Sequence, residues 1–125
     1  MRIARCLILA GSVVLLLTAL LHGSGYVKAS TALDAGGAFS FKTGGFKMLW
    51  LAYSIHLVVV SAIATVASFI PKGRRIILLC TLIPGCDAVL LLHFVRIFIG
   101  TIGLGIATLL FLAGGLMMPK GEASQ

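Results

Sequence analysis

The chain has 125 residues, of which 60% are hydrophobic and only 10% charged, and its mean hydropathy is +1.17. A soluble domain carries about 25% charged residues, so a water-soluble globule is excluded and lipid is the natural solvent. The net charge of +7 does not mark a nucleic-acid binder, because the cations flank apolar runs rather than sharing one soluble face.

No linker or shift of composition divides the chain, so one integral-membrane domain over 1–125 is expected. The first apolar run, about 3–22, follows Arg2 and Arg5. It has the outline of a signal peptide. His22, Gly23, Ser24 and Gly25 offer no good small-x-small cleavage site, and the run is read as a retained first helix. Residues 23–45 hold six glycines and small polar residues, and are predicted to form an outer loop. Within it Phe39 and Phe41 fall on one side of an extended strand.

A second helix is predicted over about 46–70, longer than the ~20 residues a span needs, with Trp50 and Tyr53 in a headgroup belt. Pro71, Lys72, Gly73, Arg74 and Arg75 stop it. The remaining apolar stretch, 76–118, is too long for one span and carries only Asp87, His93 and Arg96 as titratable groups besides its cysteines. It divides into helices of about 76–96 and 100–118, with a tight turn near Arg96 to Gly103. Pro84 and Gly85 predict a kink or local unwinding in helix three.

The expected fold is therefore an all-α membrane protein, a four-transmembrane-helix bundle. Cations set its orientation. With the N-terminus in the cytoplasm, Arg2, Arg5, Lys72, Arg74, Arg75 and Lys120 lie inside, and Lys28, Lys42, Lys47 and Arg96 outside. Six against four favours N-in and C-in, in a multi-pass protein of a bacterial inner membrane. Helix four presents Gly103, Ala107, Leu110 and Gly114 along one stripe, with Gly115 beside it. Helix two presents Ser54, Ser61, Thr65 and Ser68. Such faces let helices approach closely, within one chain or between chains.

Four titratable residues stand out. Asp87 lies mid-span beside the Pro-Gly break, where an acid is costly unless paired or solvated. His22, His56 and His93 come from three different helices and fall in the outer half. Cys6, Cys80 and Cys86 show no C-x-x-C pattern; Cys6 and Cys80 are read as small apolar fillers. No nucleophile, base and orienter occur at a recognisable spacing, and there is no phosphate-binding glycine loop.

These residues support three readings. The first is a non-enzymatic accessory or assembly component, whose partners are the bilayer and either further copies or other membrane subunits. The second is an ion- or small-ligand-binding or transport protein using Asp87, His56, His93 and Arg96. The third is a redox subunit carrying haem or copper on His22, His56 and His93. No partner nucleic acid is expected.

Overall fold

A computed structural model describes residues 1–35 and 41–119, with backbone alone at 41 and 42. Its elements are α1 (Arg2–Ser24), α2 (Tyr26–Ala35), α3 (Phe41–Ala67), α4 (Arg74–Phe94) and α5 (Ile99–Met117). No strand occurs among the described residues. Four segments are long and apolar enough to cross a membrane: Arg2–Ala35, Thr43–Ala67, Arg74–Phe94 and Ile99–Met117. The chain is thus a multi-pass membrane protein built as an all-α bundle of four spans.

The segment expected as an outer loop is largely helical. Gly25 alone separates α1 from α2, and it holds right-handed helical angles of φ −72° and ψ −15°. Its amide donates to the His22 carbonyl at 3.1 Å, and its own carbonyl accepts from Ala29 at 3.0 Å. Glycine permits a break but does not impose one, and here the helical ladder passes through with one tightened turn. Phe41 opens α3, so it does not lie on a strand; Phe39 falls outside the described residues. α2 buries none of its side chains. It is clasped to α3 by Lys47 Nζ, which meets Asp34 at 2.6 Å and 2.8 Å from its two carboxylate oxygens. That pair is exposed, so it contributes at most about 1 kcal/mol.

α1 and α5 form the closest pair of the bundle, with α3 on the other flank of α1 and α4 on the other flank of α5; α3 and α4 meet less extensively. The predicted small-residue stripe makes the α1–α5 seam. The Gly11 backbone faces the Phe111 ring, Gly103 lies on Thr18, and Gly114 lies on Ile8 and the Ala4 carbonyl. Ile8, Leu15, Leu57, Ile77, Leu104 and Phe111 are fully enclosed. The α3 stripe faces α1, where Ser61 Oγ donates to the Ser12 carbonyl at 2.9 Å. Large apolar residues such as Leu20, Leu79 and Leu109, each at least 63% exposed, point away from the bundle. A surface of that kind requires hydrocarbon around it.

Two arginines close one end. Arg5 Nε donates to Ser68 O at 3.3 Å and Arg74 Nε donates to Gly115 O at 3.2 Å, each supplying a donor to a carbonyl near a helix C-terminus. Gly73 is required in the α3–α4 turn, because a Cβ there would collide with the Ala67 carbonyl. α4 stays helical through Pro84 and Gly85, so the chain is not unwound at that point; Gly85 instead packs on Thr108 of α5. The α4–α5 turn falls close to where expected, over 95–98, with α5 starting at Ile99. Arg96 adopts φ +80° there, its amide bonded to Leu91 O at 3.0 Å.

Two predictions follow from these contacts. A Cβ at Gly114 would meet Ile8 at 2.6 Å and the Ala4 carbonyl at 3.0 Å, whereas one at Gly105 meets nothing within 4 Å. Gly114→Ala is expected to destabilise the bundle by about 1–3 kcal/mol, while Gly105→Ala gains roughly 0.5–1 kcal/mol from helix propensity; detergent unfolding titrations of the two variants should diverge in sign. Arg96→Gly relieves a left-handed non-glycine residue and should raise stability by about 1 kcal/mol in the same assay.

Candidate functional site

At the end opposite Arg5 and Arg74, three helices bring polar and aromatic side chains into a column. Trp50, Tyr53 and His56 follow one another at intervals of three along α3, a spacing that keeps them on one drifting face. Phe46 precedes them, its ring 5.7 Å from that of Trp50. His22 enters from the last turn of α1 and stacks on Trp50, with ring centroids 4.4 Å apart and planes at 16°. The edge of Tyr53 meets His22 at 4.9 Å. Trp50 Nε1 donates to the His22 carbonyl at 2.9 Å, so one residue supplies both a stacked ring and a backbone acceptor. This bond holds α1 to α3 at the point where α2 begins.

Deeper in the column the Tyr53 and His56 rings lie nearly parallel, 6.1 Å between centroids. His56 Nε2 then approaches Asp87 Oδ2 of α4 at 3.4 Å. This is an ion pair when the imidazole is protonated; at that length it lies beyond the usual hydrogen-bond distance. Helix register carries the depth. Thr18 lies against Gly103, and Gly85 against Thr108, which places Asp87 roughly 10 Å further into the bundle than His22 at ~1.5 Å per residue. The acid therefore sits well inside the apolar slab, where solvation by water is lost and a neighbouring polar group must compensate.

The column is rich in polar atoms that lack a protein partner. His22 Nε2, Tyr53 OH, His56 Nε2 and Asp87 Oδ2 are all buried and make no hydrogen bond. The side chain of His56 is 40% exposed and that of Asp87 19%, yet these facing atoms are enclosed. The enclosed nitrogen and oxygen are the two atoms that face each other. Four such atoms in one short column are unusual for a folded interior, and chemically they are two bases, one acid and one amphiprotic hydroxyl.

The other expected site residues do not join. His93 is exposed, and among the described residues its ring pairs with that of Phe94, edge-on at 4.7 Å. Arg96 is exposed on the α4–α5 turn. No group of three or more histidine, cysteine, aspartate or glutamate side chains arranged to hold a metal exists among the described residues. His22, His56 and His93 accordingly do not form a common ligand set, and the two histidines of the column are separated by Tyr53. Cys80 is buried, while Cys86, next to Asp87, points outward, as does Cys6.

Trp50 and Tyr53, expected in the headgroup belt, are also parts of the column. Their shared face with His56 was the available signal. A separate open groove of about 530 Å³ lies between α1 and α3 on the Ser54 face, lined by Ala19, Gly23, Ser54 and Val58 among others. It is apolar and contains no member of the column.

No known protein family matches the chain, and neither a curated protein nor a solved structure gives a significant match. The chemistry of the column therefore has to be read from its own geometry.

Proposed function

We propose that the protein is an ion-handling membrane protein whose binding element is the His56–Asp87 pair. The observation that carries this reading is the 3.4 Å approach of His56 Nε2 to Asp87 Oδ2 inside an apolar bundle, with neither atom otherwise partnered. A purely structural pair at that depth gains its keep by full hydrogen bonding, since a half-satisfied polar pair costs more than an apolar replacement. Here the pair is left with unused capacity on both sides. The charge state of the pair can change by one proton on either group, and each change is felt strongly in a medium of low dielectric constant. Orientation by the positive-inside rule puts the column in the outer half of a bacterial inner membrane, with both termini in the cytoplasm. His93 and Arg96 have no part in this reading.

A second reading, an accessory or assembly component, is favoured by α2. This ten-residue helix buries nothing of its own and prolongs the first apolar segment alongside the start of α3, a ready surface for another membrane subunit or a further copy.

The first reading is tested by infrared difference spectroscopy of the detergent-purified full chain between acid and alkaline pH. A carboxylic acid band that titrates in the wild type should be absent in Asp87→Asn, and its midpoint should move by about one pH unit in His56→Gln. Identical difference spectra for wild type and Asp87→Asn would refute it. For the second reading, a stoichiometric subunit should co-purify in mild detergent and be lost when 26–35 is replaced by a glycine-serine linker.

A further inference from the structure

We propose that the ion taken up by the His56–Asp87 pair is the proton, and that it arrives from the histidine end alone, by way of His22 and Tyr53. This rests on the reading of the pair given above and adds the identity of the ion and the route.

The identity follows from the donor set. A divalent metal needs four or more ligands at about 2.0–2.6 Å. The pair provides one imidazole nitrogen and one carboxylate, and no third histidine, cysteine or acid converges with them among the described residues. A proton needs only two basic atoms, and one that sits between them draws them together. Two groups 3.4 Å apart are suited to that and to little else.

The route follows from where the unpartnered polar atoms lie. His22 Nε2 and Tyr53 OH are buried without partners, and both lie between the pair and the histidine end. The His22 ring touches Tyr53, and the Tyr53 ring stacks on His56. The proposed route requires one water between neighbouring polar atoms, and such bridging is nearly as favourable as direct contact. Toward the arginine end the surroundings change. Ile8, Ile77 and Phe111 close the core there, and the hydroxyls of Thr81 and Thr108 are engaged by carbonyls of their own helices at 2.9 Å and 2.7 Å.

The titratable groups around the pair are few. α1 contributes His22, α3 contributes Tyr53 and His56, and α4 contributes Asp87, the buried Cys80 thiol, and Cys86 and His93, both exposed. α5, packed on α1 and α4, has no titratable side chain at all. The proton balance is simple. One hydronium at the histidine end becomes water, one O–H bond forms on Asp87, and His22, Tyr53 and His56 each accept a proton and release one, returning to their starting charge. No electron moves.

The test is time-resolved infrared spectroscopy of the Asp87 carboxyl band after flash release of a caged proton, on the purified full chain. Tyr53→Phe keeps the ring stacking and removes the hydroxyl; it should slow protonation of Asp87 at least tenfold while the equilibrium midpoint stays in place. His22→Gln should slow it as well. Ser12→Ala removes the remaining buried unpartnered hydroxyl, on the arginine side, and should leave the rate unchanged. If Asp87 titrates but Tyr53→Phe is as fast as wild type, or Ser12→Ala is slowed as much as Tyr53→Phe, the route is wrong although the pair still binds a proton. If zinc or another divalent ion suppresses the band stoichiometrically, the identity of the ion is wrong. If Asp87 shows no titrating band at all, the proposed function fails along with the route.

Discussion

A polar atom inside hydrocarbon has only the protein, or water the protein admits, to bond with. In water an unused lone pair costs little, because solvent fills it; in a bilayer the same vacancy costs several kcal/mol. This constraint organises the whole chain. Backbone groups are satisfied by making nearly every described residue helical, even across Gly25 and through Pro84. Carbonyls left over at helix ends are met by Arg5, Arg74 and Trp50. Most hydroxyls in the spans turn back on their own helix or reach a neighbouring carbonyl, as Thr18, Thr81, Thr108 and Ser61 do. Against that economy, the unmet atoms of His22, Tyr53, His56 and Asp87 lie together, and among the described residues Ser12 Oγ is the one further buried side-chain atom without a partner.

Packing explains why they lie where they do. Gly11, Gly103 and Gly114 let α1 and α5 approach until side chains of one touch backbone of the other, and the Thr18 hydroxyl in that seam is bonded back to its own helix. α3 and α4 lie on opposite flanks of that pair and meet less closely. In the seam between them the ionisable side chains of His56 and Asp87 face each other. A tight seam and a loose seam in the same bundle divide stability from chemistry: the glycine contacts fix the helices, and the fixed helices hold His56 opposite Asp87.

The four spans and their polar faces were legible in the sequence because both depend on local pattern. Hydropathy marks the spans, and the intervals of three among Trp50, Tyr53 and His56 mark a face. The small-residue stripe of α5 was legible for the same reason. The loop over 23–45 was misread because glycine content reports what backbone is allowed, whereas Gly25 is held helical by the ladder on either side and by the Trp50 bond to His22. That bond joins residues 28 apart in sequence, and no local pattern encodes it.

Part of the site could have been narrowed further from helix geometry alone. At about 100° per residue, His93 lies roughly 240° around α4 from Asp87, and Arg96 roughly 180°. Neither can share a point of convergence with Asp87 on an unbroken helix. Only an unwound Pro84–Gly85 segment upstream of Asp87 left the phase of the whole half-helix open, and even then the three residues would have turned together. What periodicity cannot supply is the order of helices around the bundle. That Asp87 meets His56, and not an apolar flank of α5, is decided by the α1–α5 glycine seam, which puts α3 and α4 on opposite sides of a narrow pair and lets their outer edges close over one another. The acid and the base are therefore neighbours as a consequence of three glycines on other helices.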